Sequence, residues 1–387
     1  MKILIVRTYP SVLNIDNYNS QEIGLAKAFV RAGHTCDICY YAGNVSSYVQ
    51  NINFDNDKEI KIFWLRSFSI LKNGFFLGLN KIVKQYDLIQ VSEYDQITSW
   101  YLYTFSNKPV YVYHGPYDSD ISKKHLLKCK IIDLLLLNKK NTNKTMVFTK
   151  SELASDSVRK HGFKNVVTVG VGLDFDRLIN DSDSIPPFCE KLASEKCDEG
   201  YKLITYIGVL EERRNIKFLF EVFAEVAKKE DNARLLVIGT GKQNYVNECF
   251  EYAEQLNILN KIIYIKSLSQ AELSSVYKIS DVFVLPTKFE IFGMVLLESM
   301  LLETPVVTSL NGGSSTLITE QKYGTIVQEF KVDKWADAVL AYLHDENLSL
   351  NTAKAAKERI ISDFSWNKIA DKILKANKDK IEGATNE

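Results

Sequence analysis

The sequence predicts an α/β protein made of two Rossmann-like, doubly wound domains. Three observations carry this. Short apolar runs recur along the chain, at 3–6, 35–41, 88–91, 203–207, 235–238 and 281–285. Segments with apolar residues at helical spacing lie between them. The alternation runs twice, on either side of a polar stretch at 178–200 that holds Pro186-Pro187 and no clean period. We therefore expect a first domain over 1–177, a linker over 178–200, a second domain over 201–364 and a last helix over 365–387.

The chain has 387 residues, 46% of them hydrophobic, enough for two cores. Its 48 basic and 48 acidic side chains balance, so no global field points to nucleic acid. No apolar run reaches the roughly 18 residues that span a membrane. Met1-Lys2 leads straight into Ile3-Leu4-Ile5-Val6, too short and too β-branched for a secretory leader. These features predict a cytoplasmic protein. Cys36-Asp37-Ile38-Cys39 has no second pair or nearby histidine at ligand spacing, so strand residues are expected there rather than zinc.

Residues 3–6 read as a buried strand. Ile23, Ala26, Phe29 and Val30 give a helix over 21–31 closed by Gly33. Residues 35–41 are the next strand. Further strands are expected at 60–65, 88–91, 109–113 and 146–148. The strand at 109–113 runs into His114-Gly115-Pro116. A histidine just past the carboxyl end of a parallel strand lies where such sheets bind ligands; taken alone, it reads as a satisfied loop residue. No Gly-x-Gly-x-x-Gly follows the first strand, so a nicotinamide-binding domain lacks its main device.

Residues 121–144 set Lys123, Lys124, Lys128, Lys130, Lys139, Lys140 and Lys144 around Leu126, Leu127, Ile131, Ile132 and the leucines at 134–137. This is a basic amphipathic helix pattern. Its ordinary reading is a core-facing helix with a solvated lysine face; for an enzyme acting on a lipid-linked acceptor it also suits an anionic membrane surface. The apolar stretch 73–79 is a weaker second contact.

In the second half, 203–207 is a strand, 208–215 a turn, and Phe218, Leu219, Val222, Phe223 and Val226 mark a helix. Strand and turn repeat at 235–241, followed by a helix at 245–256. A strand at 262–265 and a short helix at 270–279 come next. The run 281–285 is a buried strand that ends at Pro286. Beyond Phe292-Gly293, residues Met294, Leu297, Met300 and Leu301 fall at helical spacing. Glu290 thus lies in the loop between strand and helix, and Glu298 near the end of the second helical turn. A helix N-terminus at the carboxyl edge of a parallel sheet offers free N–H groups and a positive dipole end to an anion. Two carboxylates beside it suit a ligand with hydroxyls and phosphate; two glutamates at this spacing are also ordinary on a solvated helix. A strand at 305–307, a glycine loop at 311–315 and helices at 335–343, 352–364 and 366–378 complete the chain. Asp118-x-Asp120, Asp174-x-Asp176 and Asp181-x-Asp183 read as turns, and no metal site is expected.

The run Leu285-Pro286-Thr287, Glu290-x-Phe292-Gly293, Leu297-Glu298-Ser299-Met300, Thr304-Pro305-Val306-Val307 and Gly312-Gly313 resembles, in order and spacing, the signature of the family 4 retaining glycosyltransferases of the GT-B fold (glycosyl transferases group 1). Gly172-Leu173-Asp174 is similar to the family's Asn-Gly-Val-Asp element, with Val171 where Asn is usual. Residues 208–215 resemble its Gly-Arg-Leu and Lys-Asn element, with Arg214 at the Lys position and Val209 in place of the first cation. The glycine pair usual in the family's first loop falls on Asp16-Asn17-Tyr18-Asn19.

The resemblance covers most of the chain, best over 200–313. It implies two domains facing a cleft, with the last helix crossing back to the first domain. It implies metal-independent transfer of a sugar from a nucleotide sugar, UDP- or GDP-linked, to a hydroxyl acceptor with retention and without a cofactor. Glu290 and His114 are then the catalytic set, on the sugar hydroxyls and near the transferred sugar. Arg214, Gly208 and the Phe292-Gly293-Met294 backbone meet the donor diphosphate, and Glu298 its ribose. Asn17, Tyr18 and Asn19 fall on the sugar or acceptor side. The acceptor is a glycan or lipid-linked glycan of bacterial surface polysaccharide, which places the protein peripherally on the inner face of the cell membrane. Two alternatives stay open: a non-catalytic scaffold, motivated by Val209 and the missing glycine pair, and a nucleotide-sugar epimerase or hydrolase. Intact Glu290 and Glu298 argue against the scaffold.

Overall fold

Ile3, Leu4, Ile5 and Val6 are fully buried, which puts the first strand at the middle of a sheet with both faces covered. The computed structural model describes residues 1–15, 20–119, 123–175, 178 and 186–384. Two compact units divide the chain, 1–173 with 364–387 and 174–363.

The first unit holds β1 (Lys2–Val6), β2 (Thr35–Tyr41), β3 (Tyr48–Phe54), β4 (Lys58–Leu65), β5 (Ser67–Ile70), β6 (Asn73–Phe76), β7 (Leu88–Ser92), β8 (Val110–His114), β9 (Met146–Thr149) and β10 (Asn165–Thr168). Eight of them form one sheet in the order β10-β9-β8-β7-β1-β2-β4-β3. All neighbours are parallel except β3 and β4. The order reverses between β1 and β7, which marks the ligand-binding edge of such a sheet. Cys36 and Cys39 are buried on β2. The sequence reading misses β3. Its hairpin turn is Asp55-Asn56, both at positive φ, a conformation that Asp and Asn tolerate without glycine.

The helix expected over 121–144 is two helices, Lys123–Leu136 and Lys139–Lys144. Asn138 breaks it: its side chain accepts the Asn141 N–H at 3.0 Å, and the Asn141 side chain returns the bond to the Asn138 N–H. The helix Trp366–Ala384 packs on the helix Gln21–Arg31. Gly24 and Gly172 let Trp366 lie against the backbone; a Cβ at Gly24 would stand 2.2 Å from its ring nitrogen.

The second unit holds β11 (Lys202–Ile207), β12 (Ala233–Ile238), β13 (Ile262–Ile265), β14 (Val282–Leu285), β15 (Val306–Ser309) and β16 (Thr325–Val327). They form one parallel sheet in the order β13-β12-β11-β14-β15-β16, a doubly wound order whose switch point lies between β11 and β14. Residues 187–199, read from the sequence as linker, form the helix Pro187–Glu199. Pro187 starts it, Gly200 ends it at φ 65°, and Cys189 and Leu192 are buried against the helix Gln270–Ile279. Two prolines signal a loop, but proline in the first turn also begins a helix. Only two of its side chains are buried, so the apolar period is faint. Among the described residues no helix is long and apolar enough to cross a membrane.

Candidate functional site

In the second unit the loop after β14 is anchored before it reaches Glu290. The buried Thr287 hydroxyl donates to the Phe289 carbonyl at 3.0 Å, and the Lys288 N–H donates to the Arg213 carbonyl at 2.8 Å. Arg213 in turn donates from Nη1 to the Phe289 carbonyl at 2.9 Å and pairs with Glu211 at 2.6 Å. The loops after β11 and β14 are thereby tied together at the switch point.

Glu290 Oε2 is in direct contact with Arg214 Nη1, and both side chains are only 13% exposed. Arg213 Nη1 lies 3.8 Å from the same oxygen. The Phe292 N–H points at Glu290 Oε1 at 3.5 Å. Gly293, at φ 78°, opens the helix Met294–Leu301. A left-handed residue at this position is cheap only for glycine. Arg214 closes a single 3₁₀ turn, Glu212–Arg214, that leads into the helix Ile216–Lys229. Gly208 ends β11 and donates its N–H to the Ile238 carbonyl at 2.9 Å. Val209, which stands where a cation would be usual, is 49% exposed.

Glu298 is buried, and Tyr277 donates its hydroxyl to Oε2 at 3.0 Å. It faces inward rather than forming part of a solvated helix face. The glycine loop closes behind Glu290: the Gly312 N–H donates to the Glu290 carbonyl at 2.9 Å. A Cβ on Gly313 would lie 1.6 Å from the Phe292 carbonyl oxygen, so only glycine permits this approach. Arg214, Glu290, Phe292, Gly293 and Met294 thus come together around one helix N-terminus, with Glu298 in that helix.

In the first unit His114 ends β8 and is 1% exposed. Its Nδ1 faces Glu93 Oε2 across 2.7 Å. The Gly115 N–H donates to the same carboxylate at 3.1 Å. Burial alone would raise the Glu93 carboxyl; the His114 imidazole, the Lys150 ammonium and the Gly115 N–H outweigh it and bring Glu93 down to about 2. Glu93 holds φ 59°, unusual for a residue other than glycine. Glu93, Asp95 and His114 bring ligand atoms within 4.8 Å of one another, but the Lys150 charge beside Glu93 opposes a cation there. The sequence reading passes over Glu93, although it lies at the carboxyl edge of β7, level with His114 on β8. Asn17, Tyr18 and Asn19 lie outside the described residues.

With this geometry in place, the likenesses to known proteins are specific. Residues 189–359 match the family described as glycosyl transferases group 1. An uncharacterized glycosyltransferase of Methanocaldococcus jannaschii is 25% identical over 377 residues, 93% of both chains. A D-inositol 3-phosphate glycosyltransferase of Corynebacterium urealyticum is 29% identical over 45% of this chain and 42% of its own. The alpha-monoglucosyldiacylglycerol synthase of Streptococcus pneumoniae is 25% identical over 65% of this chain and 58% of its own. Among solved structures, the sucrose-phosphate synthase of Thermosynechococcus elongatus superposes with a TM-score of 0.72 at 16% identity, over 99% of both chains. The Anabaena protein HepE, solved with UDP and glucose, gives 0.69 at 15% identity, over 98% of this chain and all of its own. The chain has the GT-B fold, and residues 189–359 match the glycosyl transferases group 1 family.

Proposed function

We propose that the protein is a family 4 retaining glycosyltransferase that moves a sugar from a nucleoside diphosphate sugar, UDP- or GDP-linked, to a hydroxyl of a glycan or lipid-linked glycan. It acts at the inner face of the cell membrane in surface polysaccharide or glycoconjugate synthesis. The observation that carries this reading is the convergence of Arg214 and Glu290 on the N-terminus of the helix Met294–Leu301. The leaving diphosphate develops negative charge, and a helix N-terminus with a guanidinium stabilises such charge without a metal. Arg214 offers a bidentate fork for phosphate. Glu290 takes hydrogen bonds from the sugar hydroxyls and orients the anomeric carbon. Glu298, held by the Tyr277 hydroxyl, accepts from the ribose hydroxyls. His114, faced by Glu93 within the first unit, is the second member of the catalytic set. HepE, solved with UDP-glucose, and the named activity of the streptococcal relative support a UDP-sugar donor and a lipid-borne acceptor.

The test is product analysis. The protein is incubated with UDP- and GDP-sugars and a panel of glycan and lipid-linked acceptors, with and without chelator. We expect acceptor-dependent nucleoside diphosphate release, unchanged by chelator, and a product whose anomeric proton coupling matches the donor. Turnover without acceptor points to the hydrolase or epimerase, and an inverted product rejects retention.

A further inference from the structure

The large sheet of the first unit ends on β3, and that edge is unguarded. β3 is seven residues long, Tyr48-Val49-Gln50-Asn51-Ile52-Asn53-Phe54, with no charge and no proline. The other ends of the two large sheets, β10, β13 and β16, have four, four and three residues. Lys164 adjoins β10, and Lys261 and Lys266 flank β13. Shortness and lysines keep a sheet edge from pairing with other chains. β3 has neither device.

The β3–β4 ladder shows which backbone groups face outward. The Lys61 N–H of β4 donates to Asp37 on β2 at 2.9 Å, and the Leu65 carbonyl accepts from the Ala42 N–H at 3.0 Å, just past β2. Lys61, Phe63 and Leu65 thus turn their backbone toward β2, and Ile60, Ile62 and Trp64 turn theirs toward β3. The register partners of those three are Ile52, Gln50 and Tyr48. Backbone direction alternates along a strand, so Val49, Asn51 and Asn53 aim N–H and C=O away from the sheet. All three residues are exposed, Val49 at 55%. Among the described residues no strand pairs with β3 on that side.

The outward residues are self-complementary. About a two-fold axis at Asn51, an antiparallel second β3 sets Asn51 opposite Asn51, and Val49 opposite Asn53 of the second copy. Every one of these pairs is outward-facing, so each exchanges both of its backbone hydrogen bonds. On the other face of the strand, the same axis brings Tyr48 opposite Phe54 of the second copy, twice. Both rings are already held in place. Tyr48 stacks on Trp64 with centroids 5.8 Å apart, while Lys27 Nζ and Arg31 Cζ lie 5.5 Å and 5.9 Å from the Phe54 ring centre. Aromatic cross-strand pairs stabilise a sheet. No like charges meet between the paired strands, because β3 carries none.

We propose that two copies of the chain join through β3, so that the sheets of two first units become one. The matched backbone groups and the paired rings select a second copy over an unrelated strand. The contact uses no residue of the donor site.

The test is sedimentation velocity of the full chain over a range of concentrations. We expect a reversible dimer, weakened about tenfold or more by Asn51→Lys, which sets like charges face to face on the axis. Asn51 is exposed, so circular dichroism of this variant should match wild type. A second readout tests the register. In a Cys197→Ser background, which removes the exposed native thiol, Asn51→Cys should form a covalent dimer under mild oxidation, because opposed residues on the axis lie within disulfide reach. Val49→Cys should not, because the axis sets that position opposite Asn53. A monomer at every concentration leaves the edge to a different chain and overturns the proposal. A dimer that Asn51→Lys leaves unchanged, or equal cross-linking by the two cysteine variants, puts the contact elsewhere and also overturns it.

Discussion

The Arg214 guanidinium rests against the Glu290 carboxylate, each side chain only 13% exposed. The same two residues that the proposed reaction needs for diphosphate and sugar are therefore partners of each other. Removing one strands a largely buried charge. Arg214→Ala should lower stability by about 3 kcal/mol and abolish measurable donor binding. Glu290→Gln keeps the shape and should lower turnover about a hundredfold with a smaller change in donor affinity. Chemical denaturation and steady-state kinetics of the two variants check this; equal losses of stability and turnover in both would show a purely structural pair.

Gly313 tests the packing that holds the Glu290 loop. A Cβ there meets the Phe292 carbonyl oxygen at 1.6 Å, which only a backbone shift relieves. Gly313→Ala should cost about 2 kcal/mol or more and weaken donor binding. Gly33→Ala is the control, because its Cβ meets nothing within 4 Å and only its φ of 85° is strained; about 1 kcal/mol is expected, with donor binding intact. Thermal melts with and without donor separate the two.

Glu93 predicts an acid dependence. Its carboxyl is held at about 2, below its usual 4.5, by His114, Lys150 and the Gly115 N–H against the opposing effect of burial. A carboxyl lowered on folding adds stability above its unfolded value and loses it as pH falls toward the folded value. Wild type should therefore be more stable than Glu93→Gln at pH 6, and the gap should close between about pH 4.5 and pH 2. Melting temperatures of both proteins across that range check it. A gap that stays constant would mean that charge on Glu93 plays no part.

The α/β class and most strands were legible because residues 3–6 of β1 and all of β14 are fully buried apolar runs and residues 203–207 of β11 are interrupted only by Thr205, and such runs have few other readings. The entry to the helix at Met294 was legible because Phe292-Gly293 breaks the strand pattern and leucines then follow at helical spacing. The contacts between loops were not. Nothing in the spacing of Arg213, Arg214 and Glu290 shows that they meet, since β11 and β14 are joined only by the sheet order. Glu93 was hidden for the same reason, on a different strand from His114. The helix Pro187–Glu199 was missed because two buried side chains leave too weak a period to outweigh two prolines. The break at Asn138 was missed because the lysine and leucine pattern of 121–144 suggests a single helix, while the cap depends on Asn138 and Asn141 bonding to each other.

Glu298 offers the most direct measurement. It is buried within the helix Met294–Leu301, with one oxygen accepting from the Tyr277 hydroxyl, and Gln can still accept that bond. Calorimetric titration of UDP-, GDP- and ADP-sugars into wild type and Glu298→Gln, with folding checked by circular dichroism, reads its role on donor binding. Wild type should bind one nucleotide sugar, and Glu298→Gln should weaken that binding by more than about 1 kcal/mol. No binding to folded wild type, or equal binding by the variant, would contradict the donor site assigned to this helix.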